Sequence, residues 1–370
     1  MQFDRMRRWT RDLIAIDSVT GREGELAAFL ARELPARGWT IRELPVQGTR
    51  RNLLASFDTE QPRICFNTHL DTVPEAYGPD EDSERLYGRG ACDTKGILAA
   101  MLEALEEARG QGVEGLGLLL VVGEETDHVG AKAAGEAMLE PEVLIVGEPT
   151  ENKFLRAQKG LLTARLTAGG IEGHSGYPEV CDSAVDRLLP ALEALRSASW
   201  LKQHSDAGTT LNISLLQGGD AFNKVPGTAS ASLMYRLSEP ASRVMARVEE
   251  LLQDFAVRTR DTGVDDPGQA EAGELVLDWH RAAASDPVDP IDVLPDHPCG
   301  VAAFGTDLPY FGWEPRLRYL VGPGSILQAH KDPVGGDRLR GEWIDKNAQE
   351  DGARLYLELI RRVASAPLAR

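Results

Sequence analysis

The stretch Arg63–Pro74, RICFNTHLDTVP, is a short apolar run that ends abruptly in a polar turn. Its first part, Arg63–Asn67, is too short for a helix and almost wholly apolar, which is the pattern of a strand buried on both faces. Leu116–Val122 and Val143–Val146 share that texture. Between the first two runs, Ile97, Leu98, Met101, Leu102 and Leu105 fall at helical spacing, with Glu103, Glu106 and Glu107 among the outward positions. Upstream, Thr20 with Glu23 forms a capping-box signal before the amphipathic stretch Glu25–Leu34, and extended runs come next at Trp39–Leu44 and Asn52–Phe57. Buried strands alternating with helices predict an α/β fold, a mixed sheet flanked by helices.

From about Gly160 the pattern changes. Leu161–Thr167, Thr210–Leu216 and Ala229–Leu237 read as alternating strands, with helical patterns at Ala184–Leu195 and Arg243–Phe255. A fourth strand at Glu274–Trp279 completes a βαββαβ unit, expected as an inserted α+β domain over 160–283. The first domain, 1–159, then resumes over 284–370. A loop rich in Pro, Asp and Ala, Ala282–Pro298, leads to strands at Val301–Phe304 and Arg316–Val321 and a closing helix near Asn347–Val363.

The chain has 370 residues, with 40 basic and 58 acidic side chains and a net charge of −18. A field of that sign repels phosphate backbones and anionic lipid, which argues against nucleic acid or membranes as partners. No apolar run approaches the ~20 residues that span a bilayer, and the start lacks a signal-peptide pattern, so a cytoplasmic protein is expected. Cys65, Cys92, Cys181 and Cys299 are scattered without a C-x-x-C pair, so neither a disulfide framework nor a thiolate metal site is indicated.

Chemistry concentrates where the buried runs end, at the edge where α/β sheets bind ligands. His69 comes directly after the first run, and Asp71, two residues on, suits a partner that fixes the imidazole tautomer while the other ring nitrogen binds metal. Read alone, His69 is equally well a plain loop histidine. Asp93, in the glycine-rich YGRGACDTKG, stands at the entrance to the Ile97 helix and could be no more than its cap. Glu124 and Glu125 come after the second run and Glu148 after the third; a lone acidic pair is usually a solvated turn. His330 comes after the late strand and the turn GPGSILQAH. Delivered to one edge, two histidines and four carboxylates make a nitrogen- and oxygen-rich site for two divalent ions, zinc foremost, with cobalt or manganese as substitutes.

The ordered motifs THLDTVP, GRGACDTKG, GEE, GEPT and GPGSILQAH resemble the acetylornithine deacetylase, succinyl-diaminopimelate desuccinylase and carboxypeptidase G family across nearly the whole chain. The resemblance implies that Asp93 bridges two Zn2+ ions, with His69 and Glu148 completing one site and Glu125 and His330 the other. It implies that Asp71 orients His69 and that Glu124 is the general base. It further implies that the inserted domain closes over the site and forms a homodimer, with His174 of GGIEGHSGYP stabilising the oxyanion in the partner subunit. By themselves a glycine-flanked histidine reads as a surface turn, and Asn223 and Arg236 as turn and strand residues. The resemblance makes Asn223 and Arg236 substrate contacts, joined by Lys159, Thr306 and Asp307.

Within that family FGTDLPYF with the later LVGPGSILQAH is most similar to the acetylornithine deacetylase branch, with Asp307 where glutamate is usual and Leu308 where alanine is usual. The expected substrate is a small N-acyl amino acid such as N-acetylornithine. Acetylcitrulline deacetylase, desuccinylase, dipeptidase and carrier-linked hydrolase activities stay open, as does a non-catalytic metal-binding role.

Overall fold

The computed structural model describes residues 1–137, 139–202, 208–261 and 270–365. They form two compact units. The first comprises Met1–Arg156, Pro290–Gly300 and Thr306–Arg370; the second comprises Ala157–Asp289 and Val301–Gly305, reaching past the boundary expected at 283.

In the first unit, β1 (Thr40–Gln47) and β2 (Arg50–Ser56) form a hairpin at the edge of a six-stranded sheet. At its centre β3 (Ile64–His69) lies parallel to β4 (Leu116–Val121) on one side and to β5 (Val143–Val146) on the other. The returning strand Leu317–Leu320 runs parallel to β5 and completes the sheet. All residues of β3, β4 and β5 are buried, as runs without alternation require.

Helices α1 (Phe3–Ile14), α2 (Gly24–Glu33), α3 (Lys95–Gly110) and α4 (Val129–Glu136) and the C-terminal helix Lys346–Ser365 belong to this unit. The capping box does not form. Glu23 is the N-cap of α2, its carboxylate accepts from Gly21 N and pairs with Arg50, and the Thr20 hydroxyl donates to Asp71 at 2.9 Å. An arginine partner outweighs a local cap for a buried carboxylate.

Phe66 lies on β3 just behind the carboxyl edge, fully buried, its ring edge-on to Tyr356 of the C-terminal helix at 5.3 Å. Phe66→Ala removes that packing and leaves a cavity. It is expected to cost about 3–5 kcal/mol, measured by denaturant unfolding.

The second unit holds β6 (Gly160–Gly169), α5 (Ala184–Arg196), β7 (Thr210–Gly218), β8 (Thr228–Leu237), α6 (Ala241–Leu251), β9 (Val257–Arg260) and β10 (Leu275–Trp279). The sheet order is β7-β8-β6-β10-β9. Strand β9 adds a fifth member to the expected βαββαβ unit. Its sequence, VRTR, has no buried residue and so offers no period to read. Among the described residues no helix is long and apolar enough to cross a membrane.

Candidate metal centre

Parallel β3, β4 and β5 send their carboxyl ends to one edge, and His69, Glu124, Glu125 and Glu148 stand at those ends or in the turns just past them. Asp93 arrives from the turn before α3. That helix begins at Lys95 with Thr94 as its N-cap, so the Asp93 side chain does not cap it. One carboxylate oxygen of Asp93 lies 3.0 Å from His69 Nε2 and the other 3.3 Å from His330 Nε2, while Glu125 meets the same His330 nitrogen at 3.2 Å. Two ligand sets result, each with donor atoms close enough to hold one ion: His69, Asp93 and Glu148, and Asp93, Glu125 and His330. Asp93 belongs to both and Glu124 to neither.

Asp71 meets His69 through its main chain rather than its side chain. His69 Nδ1 meets the main-chain carbonyl of Asp71 at 2.9 Å, while the carboxylate stands 3.7 Å away. That carboxylate instead accepts from the main-chain N–H groups of Gly123, Glu124 and Glu125 at 2.9, 3.1 and 3.2 Å. Three amides aimed at one carboxylate outcompete a single imidazole. Gly123 makes the turn possible at φ 81°, a left-handed conformation that an added Cβ would strain. Asp71 therefore positions the glutamate pair through the backbone.

Burial, reinforced by the charges of Glu148 and Asp307, holds the Glu124 carboxyl well above its usual range. Burial also raises Glu148, with Asp93 adding to it. Burial opposes the His69 cation, but the Asp93 hydrogen bond and the surrounding carboxylates outweigh it and raise the imidazole. Hydrogen bonds to Asp93 and Glu125 raise His330 to about 10. Asp93 moves down: burial pushes against its ionised form, but its bonds to both imidazoles prevail. In the metal-free protein, then, protonated histidines offset a crowded set of carboxylates. Divalent cations would supply that positive charge directly, and the donor set suits zinc.

Glu124, Glu148, His69 and His330 each bind a proton more tightly in the folded chain, so the stability they lend is full below their unfolded pKa values and drains as pH rises through the folded ones. Asp93 works oppositely, losing its contribution only below the ordinary aspartate range. The metal-free protein is expected to lose thermal stability from ~pH 5, just above ordinary carboxyl values, toward about 10, where His330 titrates. Added Zn2+ should flatten that decline; melting curves unaffected by pH and by zinc would count against the cluster.

Asp307 and Thr306 are buried, and Asp307 meets His128 Nδ1 at 3.0 Å. His128 stacks on Tyr310 at 4.0 Å and approaches Glu124 to 4.0 Å. Sequence reading did not single out His128, which stands in the turn before α4 and carries no motif of its own. In the second unit His174 is exposed on the two-residue strand Gly173–His174, which pairs with Lys224–Val225, and Ser175 N donates to the Asn223 carbonyl at 3.0 Å. Arg236 lies on β8, and Lys159 is buried with its ammonium donating to the Gly208 carbonyl at 2.8 Å.

A probable carboxypeptidase of Aspergillus clavatus is 34% identical over 359 residues, covering 88% of this chain and 77% of that protein. The fold is similar to the crystal structure of a Staphylococcus aureus tripeptidase, with a TM-score of 0.75 and 21% identity over 99% of this chain and 100% of that one. It is also similar to an M20 family metallo-carboxypeptidase from Sulfolobus solfataricus, with a TM-score of 0.71 and 16% identity over 98% and 100%. The family model for peptidase family M20/M25/M40 matches residues 65–362, a span that takes in His69, Asp93, Glu124, Glu125, Glu148 and His330, and the chain belongs to that family of hydrolases.

Proposed function

We propose that this chain is a cytoplasmic two-zinc amidohydrolase that removes an acyl group, acetyl foremost, from the α-amino nitrogen of a small amino acid such as N-acetylornithine. The observation that carries the reading is Asp93, whose two oxygens face two histidines in two ligand sets while Glu124 stands outside both. His69, Glu148 and Asp93 would hold one ion, and Asp93, Glu125 and His330 the other. Bound there, such ions polarise an amide carbonyl and make a nearby water more acidic. Glu124 takes the proton of the attacking water and passes it to the departing amine nitrogen. Asp71 keeps Glu124 in place by holding its amide. The reading includes a homodimer through the second unit, with His174 stabilising the oxyanion in the partner subunit, and substrate contacts from Lys159, Asn223, Arg236, Thr306 and Asp307.

The carboxypeptidase name of the relative at 34% identity favours a second reading, in which the acyl group is a peptide. Both readings release an amino acid with a free carboxylate. The test is amine release from N-acetylornithine, N-acetylcitrulline, N-acetylmethionine, N-succinyl-diaminopimelate and short peptides with free or amidated C-termini, with zinc or cobalt restored to stripped protein. Turnover of acetyl substrates supports the first reading. Turnover of free-carboxylate peptides alone supports the second, and turnover of none with both ions bound defeats both.

A further inference from the structure

Arg89 and Glu342 are 2% and 0% exposed, and neither is a ligand in the two sets of the metal centre. Glu342 places Oε1 3.0 Å from the main-chain N–H groups of both Cys92 and Asp93 and accepts from Arg89 Nη1 through Oε2 at 3.0 Å. Arg89 spends its remaining donors on four other groups: Nε on the Glu75 carbonyl at 3.0 Å, Nη1 also on the Lys331 carbonyl at 3.5 Å, and Nη2 on the Pro74 carbonyl at 3.2 Å and on the Asp332 carboxylate. Nearby, Tyr77 donates to the Lys331 carbonyl at 2.8 Å, and Glu342 N donates to that same carbonyl at 3.0 Å. The pair thus ties together the segment after His69, the turn that carries Asp93, and the residues directly after His330.

A buried ion pair is a poor source of stability compared with well-packed apolar side chains, but with every donor matched it specifies one geometry. The ligand most in need of such help is His330, whose side chain is 43% exposed and whose φ is 60°. Resting on the two-ion reading, we infer that Arg89 and Glu342 are positioning residues that set the distance between the Asp93 turn and the His330 segment and so shape the second ion's site. Partners behind ligands typically contribute ten- to a hundredfold in metal affinity.

The test is Glu342→Gln, which keeps the shape of the side chain and removes its charge. Ion content is tracked during dialysis against graded chelator, with the visible absorption of Co2+-loaded protein as a second readout. The second ion should weaken about tenfold to a hundredfold, more than the first, whose other ligands His69 and Glu148 are buried and lie outside the pair's contacts, and the cobalt spectrum should change. Should that variant fail to fold, Arg89→Met/Glu342→Gln, which leaves no unpaired buried charge, carries the same expectation. Folded variants that hold both ions with wild-type affinity and spectrum overturn the inference alone. A wild-type protein that holds only one ion overturns the two-ion reading, and the inference with it.

Discussion

Glu124→Gln is expected to leave two ions bound and the fold intact while turnover falls about a hundredfold to ten-thousandfold, the usual share of a general acid–base group. The glutamine cannot take a proton from water. Its main-chain N–H still reaches Asp71, because that contact is made by the backbone, so the turn and the neighbouring Glu125 should stay in place. The variant also removes a carboxyl that burial holds well above its ordinary pKa. Metal-free Glu124→Gln should therefore melt no lower than the parent at neutral pH, and higher above it. Calorimetry beside steady-state kinetics separates the two effects. A variant that turns over normally would remove Glu124 from the chemistry, and one that loses its ions would make it a ligand.

Asp93→Asn should do the most damage to metal binding. Asp93 is the one residue shared by both sets, and its charge faces His69 at 3.0 Å and His330 at 3.3 Å. An amide of the same shape leaves each ion with two of its three protein ligands and without the shared negative charge. Ion content after dialysis should approach zero, with activity below detection. Glu148→Gln, by contrast, removes a ligand from one set only and should spare the ion held by Asp93, Glu125 and His330. If Asp93→Asn retained two ions, the shared-ligand arrangement would be wrong.

The site is legible where buried runs stop. The residues of β3, β4 and β5 are apolar enough to be read as strands, and parallel neighbours must deliver their outgoing turns to one edge. Hence His69, Glu124, Glu125 and Glu148 can be grouped without knowing any distance. Asp93 and His330 need the ordered motifs, because a glycine-rich turn and a late loop show no periodicity. Nor does periodicity show which partner a carboxylate chooses. Asp71 stands two residues from an imidazole that it would be expected to orient, yet its carboxylate binds amides more than fifty positions on. Glu342 accepts from an amide 249 residues distant, and nothing in its own neighbourhood announces that contact. Strand β9 escapes sequence reading for the reason that makes it an edge: a short polar segment shows no buried face.

The order of the chain also bears on how the protein is made. All of Ala157–Asp289 is synthesised after β5 and before the strand Leu317–Leu320 that pairs with it. Until the ribosome has translated that intervening stretch, β5 presents Val143–Val146 as an open apolar edge, the kind of surface that nascent chains pair with wrongly. His330 emerges later still. A chain that stops early would thus be both prone to aggregate and unable to close its second ligand set, so completion of the set that needs His330 falls among the last events of maturation.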